Sequence, residues 1–170
     1  ASGAARDVEA AVRAWATAWS AKDMGAYLGA YGKEFDPPGN LDRKAWEEER
    51  RSRIVGKARI SVKLSELNIA VNGNRATARF RQAYSADSLN VSSRKTLELA
   101  KSGDRWVIVL PLRHVLHVPA GADLEATLRA EIQRLVSAEE RSPQDYLELL
   151  PAAETTLQRL ALTIEIPERM

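Results

Sequence analysis

The side chains able to do chemistry are few, and their types limit what chemistry is open. The chain has no cysteine, which removes disulfides, thiolate metal sites and cysteine nucleophiles. Its two histidines, His114 and His117, have the spacing of one helical turn, but they follow a strand-like apolar run and precede Pro119 with no carboxylate cluster beside them. No metal site is expected there, and no cofactor elsewhere. No G-x-S-x-G elbow supports a serine nucleophile, and no glycine-rich loop could cradle phosphate. The stretch that calls for explanation is FRQAY, Phe80 to Tyr84, where a glutamine stands between two aromatics. If the stretch is a strand, Phe80, Gln82 and Tyr84 share one face and Arg81 and Ala83 the other. An amide facing a core needs partners or costs on the order of a few kcal/mol. Gln82 therefore either satisfies a neighbour or orients a ligand.

The candidate ligand-binding residues are Trp19, Tyr31, Trp46, Arg53, Gln82, Tyr84 and Lys95, and each has a plainer reading. Tryptophans dominate small cores, tyrosines can be core bodies with hydroxyls at a rim, and Lys95 can lay its stem on a sheet and keep its ammonium in water. Arg53 belongs to EEERRSR, whose mixed signs read as a solvated helix face or as one that turns Arg50 or Arg53 toward a pocket. No catalytic residue is expected, because no acidic side chain shares the parity of Gln82 along the strands.

The elements that must position these residues follow from periodicity. Val8, Val12, Trp15 and Trp19 make an apolar stripe on a first helix. A short second helix carries Met24, Tyr27, Leu28 and Tyr31 and ends at Gly32. Asp42 caps a third, with Leu41 placed to staple onto Trp46 and Gly56 as terminator. From Ala58 the period becomes two. Ile60, Val62 and Leu64 alternate, then Leu67, Ile69 and Val71 in the opposite parity, which a bulge near Ser65 and Glu66 would reconcile. NGN at 72–74 is a hairpin turn; a second strand runs from Arg75 to about Ser85, SADSLNVSS is a longer connection, and a third strand covers Arg94 to Ala100. KSGDR turns into a fourth, WVIVLPL. One face collects Ile60, Phe80, Gln82, Tyr84, Leu97, Trp106 and Ile108, and the helices must pack on it. Val107 and Val109 break the pattern of the polar face, so a partner chain or the C-terminal segment is expected to cover them. Beyond Leu112, Asp123 can cap a helix with Leu124, Leu128, Ile132 and Leu135 on one side. A further helix starts at Ser142 and breaks at Pro151, and ALTIEIPE can form a short final strand.

Length and composition agree with this order. The 170 residues, 45% hydrophobic and 28% charged, suit one compact domain or a domain of about 110 residues with an extension. Formal net charge is +2, too balanced to suggest nucleic acid. No run approaches the roughly 20 apolar residues of a membrane span. The opening ASGAARD reads as linker, tag remnant or mature terminus. The organisation expected is α+β: a linker over 1–7, three N-terminal helices packed on a curved, cone-like antiparallel sheet over 8–112, and a mostly helical extension over 113–170.

Paired tryptophans on the first helix, followed by a bulged hairpin and meander, resemble the nuclear transport factor 2-like superfamily over about residues 8–109. More narrowly, W-x-x-x-R-x-x-R-I (Trp46 to Ile54), F-x-Q-x-Y (Phe80 to Tyr84), K-x-L (Lys95 to Leu97) and W-x-I (Trp106 to Ile108) resemble the version appended to bacterial L,D-transpeptidases. That superfamily includes ketosteroid isomerase, scytalone dehydratase and many noncatalytic modules. The resemblance implies a noncatalytic ligand-binding or accessory module of the bacterial envelope, periplasmic and linked to peptidoglycan processing, with a small molecule or muropeptide as ligand. Two alternatives stay open: an isomerase, dehydratase or cyclase using Tyr31, Tyr84 or Lys95, and a homodimerisation or interaction domain. Such domains end soon after W-x-I, so the last 60 or so residues depart from the pattern.

Overall fold

The computed structural model describes residues 3–37, 41–87, 89–117, 120–138 and 162–165. The chain separates into two compact units, Ala1–Leu112 and Arg113–Met170.

In the first unit, helix α1 (Gly3–Ala21) buries Val8, Val12, Trp15 and Trp19, the stripe expected from their spacing. Lys22 ends it in a left-handed conformation, with the Asp23 N–H bonded to the Ala18 carbonyl at 2.9 Å and the Lys22 N–H to Trp19 at 3.1 Å. That is the Schellman closure, at a position glycine would fill without strain. Asp23 then caps α2 (Met24–Gly29), and Asp42 caps α3 (Arg43–Val55) by accepting from the Ala45 N–H at 2.8 Å. Leu41 is exposed, so the expected staple onto Trp46 adds little burial.

Four antiparallel strands follow: β1 (Ile60–Asn72), β2 (Arg75–Ala86), β3 (Leu89–Ser102) and β4 (Arg105–Ile108). The register of β1 on β2 shifts between Ser65 and Asn68, so Glu66 and Leu67 together stand against Phe80. This bulge gives Val62 and Leu64 on one side, and Ile69 and Val71 on the other, the same inward face. Gly73 and Gly103 supply the positive φ that the two hairpin turns need. β3 begins five residues before the expected Arg94. SADSLNVSS is not a long connection, because Asp87 turns the chain in a left-handed conformation and Ala86 already pairs with Leu89. The inward face packs on the helices through Ala78, Phe80, Leu97, Leu99, Trp106 and Ile108, all buried.

The free side of β4 is closed from within the unit. The Gly32 N–H donates to the Ile108 carbonyl at 2.8 Å, the Ile108 N–H to Ala30 at 2.9 Å, and the Asp36 N–H to Val109 at 3.1 Å. The stretch after α2 thus runs beside β4 in parallel, and a Cβ on Gly32 would come within 2.7 Å of Val107 Cγ2. Gly32 of this local segment thus lies against Val107, a contact that periodicity alone does not suggest.

In the second unit, β5 (Arg113–His117) pairs in parallel with β6 (Leu162–Glu165), and Asp123 caps α4 (Leu124–Ala138) by accepting from the Ala126 N–H at 3.2 Å. The HVLH stretch is a strand and not a helical turn. The helix expected from Ser142 and its break at Pro151 lie outside the described residues.

The Gly32 contact generates a prediction. Gly32→Ala should destabilise the domain by about 1–3 kcal/mol through overpacking against a stiff, β-branched neighbour, and Val107→Ala in the same chain should recover most of it. Urea unfolding of the two single variants and the double variant measures the coupling; additive losses would show that the contact is not the cause.

Candidate functional site

The inward face of α1, α2 and α3 contributes a connected set of aromatic rings. Tyr84 on β2 meets Trp19 with centroids 5.3 Å apart, Trp19 meets Tyr27 at 6.0 Å, Tyr27 meets Tyr31 at 5.4 Å, and Tyr31 meets Trp46 at 4.6 Å. Four of the candidate residues, Trp19, Tyr31, Trp46 and Tyr84, are thereby joined through Tyr27. Trp15 and Trp19 are one turn apart on α1, while Tyr27 sits on α2 and Tyr31 in the stretch just after it, bridged to Ile108.

Hydrogen bonds run through the same rings. Trp15 Nε1–H donates to the Tyr31 hydroxyl at 3.0 Å, the Tyr31 hydroxyl donates to that of Tyr27 at 3.2 Å, and Arg50 Nε–H donates to Tyr27 at 3.1 Å. The Arg50 guanidinium also lies over Trp19 at 5.4 Å and Tyr27 at 5.8 Å. Of the two arginines weighed from sequence, Arg50 reaches the aromatic set. Arg53 is ion-paired with Glu49 one turn away at 3.1 Å. Arg43, not singled out from sequence, covers Phe35 and Trp46 and donates to the Gly32 and Leu28 carbonyls. It locks the start of α3 onto the end of α2.

Burial, and then the adjacent Tyr27, push the Tyr31 phenol well above its ordinary value of 10.0. A phenol whose proton is committed to Tyr27 and whose ionisation is opposed by burial is a poor acid near neutral pH.

Gln82 lies on the same face, between Leu64 on β1 and Ser93 on β3 in register, and is 4% exposed. Among the described residues its Oε1 has no hydrogen-bond partner, and neither does the buried Nε1–H of Trp19. Lys95 pairs in register with Phe80 on the same face and is half-buried. Among the described residues no group of three acidic or histidine side chains could hold a metal.

A separate cleft of about 460 Å³ opens where the end of α1, the stretch before β1 and the end of β2 meet. None of the residues expected from sequence lines it. Two clasps shape it. Lys22 Nζ donates to the Lys57 carbonyl at 2.7 Å, while the Asp87 carboxylate accepts from the Ala58 and Arg59 N–H groups at 3.0 and 3.1 Å. Both clasps are non-glycine residues at positive φ, a backbone feature that hydrophobic periodicity does not report.

With this geometry the chain can be placed. Residues 7–111 match the model of the Cds6 C-terminal NTF2-like domain. The chain belongs to that family. Among solved structures it is similar to Bd1075 of Bdellovibrio bacteriovorus, at 26% identity and a TM-score of 0.58 over 64% of this chain and 39% of that one. It is also similar to a proposed dehydratase of the NTF2-like family from Streptomyces avermitilis, at 14% identity and a TM-score of 0.54 over 62% of this chain and 91% of that one. A third likeness is to Pgp2 of Campylobacter jejuni, a helical cell shape determining protein, at 19% identity and a TM-score of 0.53 over 59% of this chain and 37% of that one. The region shared with Bd1075 and with Pgp2 is therefore well under half of each. No curated protein matches the sequence. The NTF2-like fold of the first unit is that of a ligand-binding or enzyme-type module, and the sequence match ends where the first unit ends.

The buried Tyr31 sets a pH dependence. Its folded-state pKa lies above the unfolded one, so its contribution to stability is complete below about pH 10 and is lost as the pH rises further. Tyr31→Phe should cost about 1–3 kcal/mol at neutral pH, because it unpairs Trp15 Nε1, and the gap from wild type should narrow above about pH 10. Urea midpoints of both proteins at neutral and alkaline pH test this; a gap that does not change with pH rejects it.

Proposed function

We propose that this NTF2-like domain is a noncatalytic ligand-binding or accessory module. The observation that carries the reading is a pair of buried polar atoms on the helix-covered side of the sheet with no partner among the described residues, Trp19 Nε1–H and Gln82 Oε1. A buried donor and a buried acceptor left unpaired each cost on the order of 1–3 kcal/mol. A ligand that accepts from the indole and donates to the amide oxygen offsets both costs. A secondary amide carries that complement in one group, with a carbonyl for Trp19 and an N–H for Gln82. The aromatic surroundings of Trp19 and Tyr84 suit a neutral ring or acetamido group better than an ion. Muropeptides contain such amides in abundance, which makes them the first ligand class to examine.

Acid-base chemistry has less behind it. The inward face offers Tyr31 with its proton committed, half-buried Tyr84 and Lys95, and among the described residues no inward acidic side chain on β1 to β4. Placement in the bacterial cell envelope, on the periplasmic side, rests on the resemblance to the domain appended to L,D-transpeptidases and on the named role of Pgp2 in cell shape.

The test separates function from stability. Gln82→Leu removes an unsatisfied buried amide oxygen, so it should leave the free domain as stable as wild type or about 1 kcal/mol more stable. It should also weaken binding of muropeptides and N-acetylated sugars, followed by calorimetry or ligand-observed NMR, by about tenfold or more. Binding unchanged in both Gln82→Leu and Tyr84→Phe removes the proposed site.

A further inference from the structure

The outer face of the sheet carries a second recognition surface, independent of the inner one. On this face β1, β2 and β3 present Lys63, Arg75, Arg79, Arg81 and Arg94 against only two carboxylates, Glu66 and Glu98. It is more positive than the whole chain, whose formal charge is +2. Arg81 and Arg94 are direct cross-strand partners, an arrangement in which like charges destabilise a sheet. The chain relieves it with one carboxylate. Glu66, held at φ 52 in the bulge of β1, reaches Arg81 at 3.8 Å and Arg94 at 3.7 Å. Its side chain is 61% exposed and those of the arginines 41% and 59%, so these loose, solvated pairs are worth little and are readily exchanged for another carboxylate. Glu98 is occupied differently, accepting from the Thr77 hydroxyl. Arg79, two residues before Arg81 on the same face, is exposed beside this slot.

We propose that this face binds an acidic polypeptide segment in extended conformation, whose carboxylates enter the slot that Glu66 fills in the free protein. Three features select that occupant. Glu66 shows that a carboxylate fits between Arg81 and Arg94. Arg79 and Arg81 are two residues apart on a strand, roughly 7 Å, which is also the repeat of same-face side chains in an extended peptide. The outer positions of β1 to β3 are Ser, Thr, Asn, Ala, Lys, Arg and Glu, with no aromatic among the described residues, so the base-stacking platform that single-stranded nucleic acid needs is missing. A second copy of the chain is disfavoured by charge, since a two-fold contact through this face would oppose one arginine row to another.

The experiment is fluorescence anisotropy with a labelled peptide of alternating Glu and Ser at low salt. The expected result is salt-sensitive binding that weakens about three- to tenfold in Arg79→Ser/Arg81→Ser. Glu66→Gln should strengthen it several-fold, while Glu48→Gln, an exposed charge change on α3, leaves it unaltered. All four residues are exposed or half-exposed, so folding is preserved. Equal gains from Glu66→Gln and Glu48→Gln would reduce the effect to net charge and overturn the proposal. So would indifference to the arginine changes, equal affinity for oligothymidylate lost in the same variants, or a doubled mass in light scattering that Arg81→Ser abolishes. None of these results bears on the inner site, which Gln82→Leu tests separately.

Discussion

The bulge in β1 is the constraint on which the rest of the domain depends. Side chains in a strand alternate strictly, so a straight β1 would turn either its first or its second half away from the helices. Setting Glu66 and Leu67 together against Phe80 keeps Val62, Leu64, Ile69 and Val71 on one face. The whole of β1 can then roof the same core. The device also bends the strand, as a sheet needs in order to wrap a helix layer. Its outward product is Glu66, the carboxylate between two arginines. One local irregularity therefore shapes the interior and the exterior at once.

Inside, polar groups are treated in two ways. Trp15, Tyr31, Tyr27 and Arg50 form a closed relay in which each hydroxyl has a donor directed at it, and such a network fixes the angle between α1, α2 and α3. Trp19 Nε1 and Gln82 Oε1, on the same side of the sheet, have no hydrogen-bond partner among the described residues. The same core thus satisfies one set of buried polar groups and leaves another set to be explained.

Much of this was legible in the sequence because it is local. The inward parity of Phe80, Gln82 and Tyr84, the bulge, the NGN hairpin and the Asp42 cap each depend on a few adjacent residues, and each is present. Arg50 shares a helical face with buried Trp46 and Ile54, but its contact with Tyr27 and Trp19 joins residues far apart in sequence. The early start of β3 was missed because Asp87 adopts a conformation usually left to glycine. The cleft held by Lys22 and Asp87, and the segment beside Val107, join residues far apart in sequence. No periodic signal records such meetings.

The parallel pairing of the stretch after α2 with β4 has a bearing on how the domain forms. It joins parts of the chain as distant as Gly29 and Arg105, 76 residues apart and themselves hydrogen-bonded. Closing so long a loop costs entropy before any contact repays it. The meander β1 to β3, built from hairpins, can assemble first, while β4 keeps one row of backbone donors and acceptors unpaired until the N-terminal helices dock. A strand edge in that condition is a template for other chains. The same few hydrogen bonds that pair the free side of β4 thus also cover an edge on which another chain could add a strand.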